Sequence, residues 1–121
     1  MTRACEVLGH LEELLTALQQ NAWQQREALV ALRVGAVEAL AAQQQLLLQK
    51  LEQYQQRCVP LLEDIQREPQ LRRRWERMRI HAAEVRRLLQ LNRLLAQRAQ
   101  QHSAALLEAL TSGGPLYNWQ A

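Results

Sequence analysis

The chain has 121 residues, enough for one domain with a limited core and too few to make a second domain expected. Leu, Gln, Ala and Arg dominate and suit helices, whereas Phe is absent and β-branched residues are scarce, so the composition excludes a sheet protein and predicts an all-α fold. The net charge of +3 is too small to indicate a nucleic-acid-binding protein.

The first predicted helix covers about residues 5 to 33. Its apolar residues recur at alternating steps of three and four, which is the heptad seam of a coiled coil. The seam contains Leu8, Leu11, Leu15, Leu18, Ala22, Leu29 and Leu32, with Gln25 as a polar exception. Gly35 can adopt the left-handed conformation that ends a helix, so we expect the chain to reverse there.

The second predicted helix covers about residues 36 to 65 and contains a proline. Its seam is Val37, Leu40, Gln44, Leu47, Leu51, Tyr54, Cys58, Leu61 and Ile65. Pro60 removes a backbone hydrogen bond, so the helix either kinks there or ends near Val59. The seam keeps its phase on both sides of Pro60, which favours the kink.

The third predicted helix follows a connector at residues 66 to 70 and covers about residues 70 to 111. Pro69 suits its first turn. Its seam is Leu71, Trp75, Met78, Ala82, Val85, Leu89, Asn92, Ala96, Ala99, Ser103, Leu106 and Leu110. A flanking stripe of Leu88, Leu91 and Leu95 widens the apolar face enough for two partners. We expect Trp75 to pack in the core and Asn92 to fix the register of the bundle.

Helix lengths predict an elongated antiparallel three-helix bundle, or coiled-coil hairpin, with an uncovered end. At 1.5 Å per residue the first two helices are roughly 40 to 45 Å long and the third roughly 60 Å. The last ten or so residues of the third helix, with Leu106, Leu107 and Leu110, should project beyond the Gly35 turn and await a partner. Residues 1–112 then form one domain and residues 113–121 a flexible tail. Tyr117 and Trp119 in that tail either fold back onto the bundle or form a short docking motif.

The sequence contains no recognisable catalytic or cofactor-binding pattern. His10, His81 and His102 are scattered over different helices, and no phosphate-binding glycine loop is present. We therefore predict a protein that is not an enzyme and that holds no metal or cofactor. Cys5 and Cys58 match no metal or redox spacing, so reduced thiols are expected.

Seven arginines between Arg72 and Arg87 form the densest charge feature of the chain. A solvated helix face is the favoured interpretation, because Glu76 and Glu84 are spaced for salt bridges. The alternative is a contact with an acidic protein surface, and RNA is disfavoured because no aromatic residues are interleaved. No signal-peptide-like or membrane-spanning run of apolar residues is found, so a cytoplasmic protein without membrane insertion is expected.

Four stretches, in order, resemble FlgN-type flagellar export chaperones. They are the opening MTRACEVLGHL, the second-helix segment VEALAAQQQLLLQKLEQYQQR, the segment RWERMRIHAAEVRRLLQLNRLL from Arg74 to Leu95, and the terminal PLYNWQA. Together they span nearly the whole chain, which makes the combined likeness more specific than any single stretch.

The resemblance implies a cytoplasmic type III flagellar export chaperone. Such a protein binds the C-terminal helical region of hook-associated (hook–filament junction) proteins, prevents their premature assembly and delivers them to the cytoplasmic domain of the export gate. It implies client binding at the end of the third helix, where helix length already predicts an uncovered end. We therefore expect the client to contact Leu106, Leu107 and Leu110, with Leu91 and Leu95 as additional contacts. Tyr117 occupies the position of a tyrosine that contacts the gate. The export ATPase complex is a further candidate partner.

Two hypotheses follow from the same leucines. A chaperone should be a monomer or a weak homodimer that forms a 1:1 complex with its client. The alternative is a structural coiled-coil protein that self-associates and has no client. Sedimentation would distinguish these two hypotheses.

Overall fold

A computed structural model describes residues 3–112 of the chain. The predicted tail at residues 113–121, with Tyr117 and Trp119, lies outside the described residues. The helices are α1 (Arg3–Val30), α2 (Val34–Cys58), α3 (Leu62–Arg67) and α4 (Pro69–Ser112), and a 3-10 turn occupies Val59–Leu61. Residues 3–112 contain no strand, and the prediction of an all-α helical bundle with a long last helix is confirmed.

The three long helices run up, down and up, with α1 packed against both α2 and α4. The α1–α2 pair is antiparallel, because His10 stacks on Tyr54 near one end while Asn21 bonds to the Leu40 carbonyl further up α1. The α1–α4 pair is parallel. Glu12 accepts a hydrogen bond from Arg74, and seven residues later Gln19 contacts His81.

The core consists of two apolar clusters, one at the end of the bundle that carries the 59–69 connection and one nearer the middle of the bundle. The first contains Ala4, Val7, Leu8, Leu11, Cys58, Ile65 and Leu71, and the second contains Leu15, Leu18 and Val85. Trp75 is half-buried and packs against the first cluster. Burial raises the pKa of the Cys58 thiol, which therefore stays protonated at neutral pH.

The widest buried face belongs to α1 rather than to the long helix. Ala4, Val7, Asn21 and Ala28 are buried although they lie outside the predicted seam. The reason is geometric, because a helix that packs against two neighbours buries two adjoining stripes. The flanking stripe predicted to widen the apolar face of the last helix is only partly covered, since Leu88 is half-buried, Leu91 is 44% exposed and Leu95 37%.

The turn between α1 and α2 differs from the predicted one. Helix α1 ends at Val30, and the left-handed residue is Leu32 (φ 56°), whereas Gly35 lies inside the first turn of α2. The Arg33 N–H donates to the Ala28 carbonyl at 2.9 Å and the Leu32 N–H to the Leu29 carbonyl at 3.2 Å. These two bonds form a Schellman motif, which satisfies the last carbonyls of α1 without glycine.

Leu32→Gly is expected to raise the free energy of unfolding by about 1 kcal/mol, because a left-handed leucine is strained there and glycine is not. Urea denaturation followed by circular dichroism measures the change. Ala31→Gly is the matched control. Ala31 does not have a positive φ, so glycine there should lower stability by about 0.5–1 kcal/mol. Equal effects of the two substitutions would contradict the left-handed assignment.

Pro60 divides the second predicted helix into two α-helices joined by a 3-10 turn. The α-helix α2 ends at Cys58, a single 3-10 turn follows, and α3 resumes at Leu62 and continues to Arg67. The seam keeps its phase, since Cys58 and Ile65 are both buried on either side of the interruption. The proline thus lies at the second residue of the 3-10 turn, where its missing N–H costs least.

Candidate protein-binding groove

The long helix α4 continues beyond the turn that joins α1 to α2. Val30, the last residue of α1, lies near the level of residues 92 to 96, because Arg26 reaches Asn92 and α1 runs parallel to α4. From Gln100 to Ser112 no residue is buried, and every residue except Ala109 is exposed. These thirteen residues correspond to about 20 Å of helix.

Leucines on this overhang are solvent-exposed in the described structure. Leu106 is 38% exposed, Leu107 63% and Leu110 52%. Leu110 follows Asn92 by 18 residues, or five helical turns, so it continues the face that α1 covers lower down. The overhang therefore extends a core-type face into solvent.

A groove of about 950 Å³ opens where the end of α1 and the start of α2 face α4. We call it the turn-end groove. Its apolar lining is Ala28, Leu29, Leu32, Val34, Val37, Ala96, Ala99, Ala104 and Leu107. The small residues on α4 leave space that larger side chains would fill, and Leu32 stands 76% exposed at the edge of the groove. Three separate parts of the chain thus form one concave apolar surface.

A second groove of about 530 Å³ lies between α2 and α4 and is continuous with the first. Both are lined by Leu29, Val37, Arg93 and Ala96. Helices α2 and α4 therefore diverge on the side facing solvent, and α1 forms the floor between them. Concave apolar surfaces of this kind are where amphipathic helices bind to helical proteins.

A layer of hydrogen-bonded polar side chains separates the core from the turn-end groove. Asn21 Nδ2 donates to the Leu40 carbonyl oxygen at 2.9 Å and to Gln43 Oε1 at 3.1 Å. Gln25 Nε2 donates to Asn21 Oδ1 at 2.6 Å and also bonds to Gln44 Oε1. Within residues 3–112 no buried side-chain polar atom lacks a partner. The layer is fully satisfied and joins α1 to α2.

Asn92 joins the same layer to α4. It is buried, and its Nδ2 donates to the Ala22 carbonyl oxygen at 2.7 Å, while its Oδ1 accepts from Arg26 Nε at 3.4 Å. A polar residue tied to one carbonyl of a neighbouring helix favours a single axial alignment. The register role of Asn92 stays a prediction, and its position is the one that such a role requires.

Only one of the five predicted client-binding leucines lines the turn-end groove. That residue is Leu107; Leu106 and Leu110 lie on the face that continues α1's contact, and Leu91 and Leu95 lie further round α4. The groove residues outside α4, such as Leu32 in the turn and Val37 in α2, were missed as binding residues. Seam periodicity assigned them to the core, and no local signal in the sequence shows that their side of the bundle is left open.

Histidines occupy separate places in the structure. His10 stacks on Tyr54 with ring centroids 4.6 Å apart, His81 contacts Gln19 at 2.6 Å, and His102 lies on the exposed overhang. Among residues 3–112 no group of three or more His, Cys, Asp or Glu side chains is placed to hold a metal ion. Over the same range, no helix combines the length and apolar character needed to cross a membrane.

Comparison of the chain with protein-family models, with curated proteins and with solved structures returned no match.

Proposed function

We propose that this chain is a cytoplasmic export chaperone of the FlgN type. In this proposal it binds the C-terminal helical region of hook–filament junction proteins, keeps them from assembling early and delivers them to the export gate. Binding needs no covalent step, so no catalytic residue is invoked. The client is held by the overhang of α4 together with the turn-end groove.

The unpartnered apolar surface at the turn end is the observation that supports this proposal. A bundle built only for its own stability gains nothing from some 20 Å of α4 that carries exposed leucines. Leu106 and Leu110 continue the α1-facing side, and Leu107 lines the groove beside it. An amphipathic client helix could therefore continue the bundle where α1 stops, with its apolar face against both surfaces.

Tyr117 has a separate role in the proposal, which is contact with the cytoplasmic domain of the export gate. This residue lies outside the described residues, so its role rests on the sequence resemblance alone. The proposed division places client binding on α4 and gate binding on the tail. The export ATPase complex remains a candidate partner without an assigned surface.

Leu106→Asp together with Leu110→Asp is expected to weaken client binding at least ten-fold, because two carboxylates would have to be desolvated in the contact. The measurement is isothermal titration of the full chain with C-terminal segments of junction proteins. Far-ultraviolet circular dichroism checks that helicity is unchanged. Sedimentation of the unmodified chain should show a monomer or weak dimer that becomes a 1:1 complex.

Leu94→Asp is the matched control. Leu94 is also on α4 and is 54% exposed, but it lies opposite Asn92 on the outer face. The Leu94→Asp variant should bind the client as tightly as the unmodified chain does. Tyr117→Ala should also leave client binding unchanged, and should weaken gate binding alone. Retained client binding by the double variant would rule out the overhang. A stable dimer that the double variant disrupts, with no junction protein bound, would favour the self-associating coiled coil.

A further inference from the structure

We propose that the two connected grooves receive one amphipathic helix that carries acidic residues along the flank facing α4. The inference rests on the proposed function, because the bound helix would be the helical segment of the client. It goes beyond that function in naming the charge pattern that is recognised and the arginines that recognise it.

The grooves are long enough for a helix of several turns. Their α4 wall extends from Arg86 to Leu107, a rise of about 32 Å. Leu29 and Val37 contribute to the lining of both grooves, and Leu48 and Leu89 extend the apolar surface towards the core. A helix of about 20 residues could bury an apolar stripe there while its flanks remain near α2 and α4.

Arginines recur every seven residues along one face of α4, and the last two of them reach the groove. They are Arg72, Arg79, Arg86 and Arg93. A seven-residue spacing keeps side chains on one face of a helix, about 10.5 Å apart. Arg86 and Arg93 line the groove between α2 and α4, and Arg93 also lines the turn-end groove. Carboxylates at the same spacing on a bound helix could meet successive arginines.

Arg86 and Arg93 are not used by the rest of the described chain. Within residues 3–112 the ion pairs involve Arg67, Arg74 and Arg79, and no carboxylate lies within ion-pair distance of the two groove arginines. Glu38 is the single acidic residue among the described groove-lining residues, and it lies at the start of α2. The groove is thus basic along α4, which favours an acidic flank on the occupant and leaves a neutral or basic position opposite Glu38.

Two other candidate occupants of the grooves, the C-terminal residues of this chain and a second copy of it, do not match the charge of the arginines. Residues 113–121 contain no Asp or Glu and include Pro115, so they do not supply an acidic helix. A second copy docked by two-fold symmetry would place the same arginines near one another, which is unfavourable. An acidic helix from another protein is the occupant that complements both the apolar lining and the arginines.

The test uses the full chain and two synthetic helical peptides of about three heptads, which share one leucine face and carry either Glu or Gln on the flanks. At low ionic strength the unmodified chain should bind the Glu peptide at least ten-fold more tightly than the Gln peptide. Arg86→Glu with Arg93→Glu should abolish that preference. Added salt should reduce it, because exposed charges are screened.

Arg87→Glu with Arg98→Glu is the charge-matched control. Both residues are exposed on the outer face of α4, so this variant has the same net charge without altering the groove. It should keep the Glu preference within about two-fold. If both variants lost the preference for the Glu peptide equally, the inference would be overturned, because the preference would then depend on the net charge of the protein and not on the groove arginines. A ten-fold gain in peptide affinity on deleting residues 113–121 would also overturn it in favour of the tail.

A parallel titration with C-terminal segments of junction proteins separates the two proposals. If these segments bind the unmodified chain and the groove variant equally well, the acidic-helix inference fails and the chaperone proposal stands. If no segment binds while the Glu peptide depends on the groove arginines, the chaperone proposal fails and the acidic-helix inference stands.

Discussion

Ile65→Ala is expected to lower the free energy of unfolding by about 3 kcal/mol, the usual cost of truncating a fully buried isoleucine. Ile65 is 0% exposed and is the single buried residue of α3. A six-residue helix is not stable by itself, so α3 depends on this side chain packing in the cluster that contains Leu8 and Leu71. Urea denaturation followed by circular dichroism measures the loss.

Val59→Ala provides the comparison for this experiment. Val59 is a β-branched residue of the same segment, but it is 60% exposed in the 3-10 turn. Its truncation should change stability by no more than about 0.5 kcal/mol. Similar losses at Val59 and Ile65 would mean that the Ile65 side chain does not hold α3 in the core.

Seam periodicity was sufficient to predict the long helices and much of the core. Leu8, Leu11, Leu15 and Leu18 are all buried as the three-and-four spacing predicts. Periodicity shows that a helix has an apolar face, but it does not show which helix lies between the other two. That position belongs to α1, and it explains why Asn21 and Ala28 are buried outside the predicted seam.

Helix ends were less predictable than helix faces. Gly35 was the obvious residue for a left-handed turn, yet Leu32 adopts that conformation and Gly35 lies in the first turn of α2. Intrinsic preference is worth about 1 kcal/mol at such a position, and the two backbone bonds of the Schellman motif can outweigh it. Local residue preference alone therefore placed the turn about three residues too late.

The sequence predicted the overhang of the candidate binding site but not the groove beside it. Helix length predicts an overhang, and the exposure of Leu106, Leu107 and Leu110 agrees with it. The groove beside it depends on how far α2 and α4 diverge over α1, which is a property of three helices packed together. Leu29 and Val37 look like ordinary seam residues until that divergence is seen. Whether these residues bind a client stays a prediction.

Asn21→Asp is expected to cost about 3 kcal/mol of stability at pH 7, although the two side chains have nearly the same shape. The Asn21 amide donates to two acceptors, the Leu40 carbonyl and Gln43 Oε1, and an ionised carboxylate can donate to neither. A charge would also be buried, since Asn21 is 2% exposed. Loss of buried hydrogen bonds and burial of an unpaired charge both destabilise the folded state.

The stability cost of Asn21→Asp is expected to increase with pH. Burial and two facing acceptors should raise the pKa of the new carboxyl group above the unfolded value of about 3.9. The folded state then holds its proton more tightly, so the loss of stability is smallest near pH 4 and grows as the pH rises through the folded pKa. Thermal unfolding at pH 5 and pH 7, relative to the unmodified chain at each pH, measures the difference.

Asn92→Asp is the matched comparison, because Asn92 is equally buried in the same polar layer but has a cation beside it. Arg26 Nε lies 3.4 Å from Asn92 Oδ1, so an ionised carboxylate there would be paired, although its bond to the Ala22 carbonyl would be lost. We expect a cost of about 1 kcal/mol at pH 7 with little dependence on pH. If the two variants lost stability equally, Arg26 would not reach Asn92 in solution, and the link from the polar layer to α4 would rest on the Ala22 carbonyl alone.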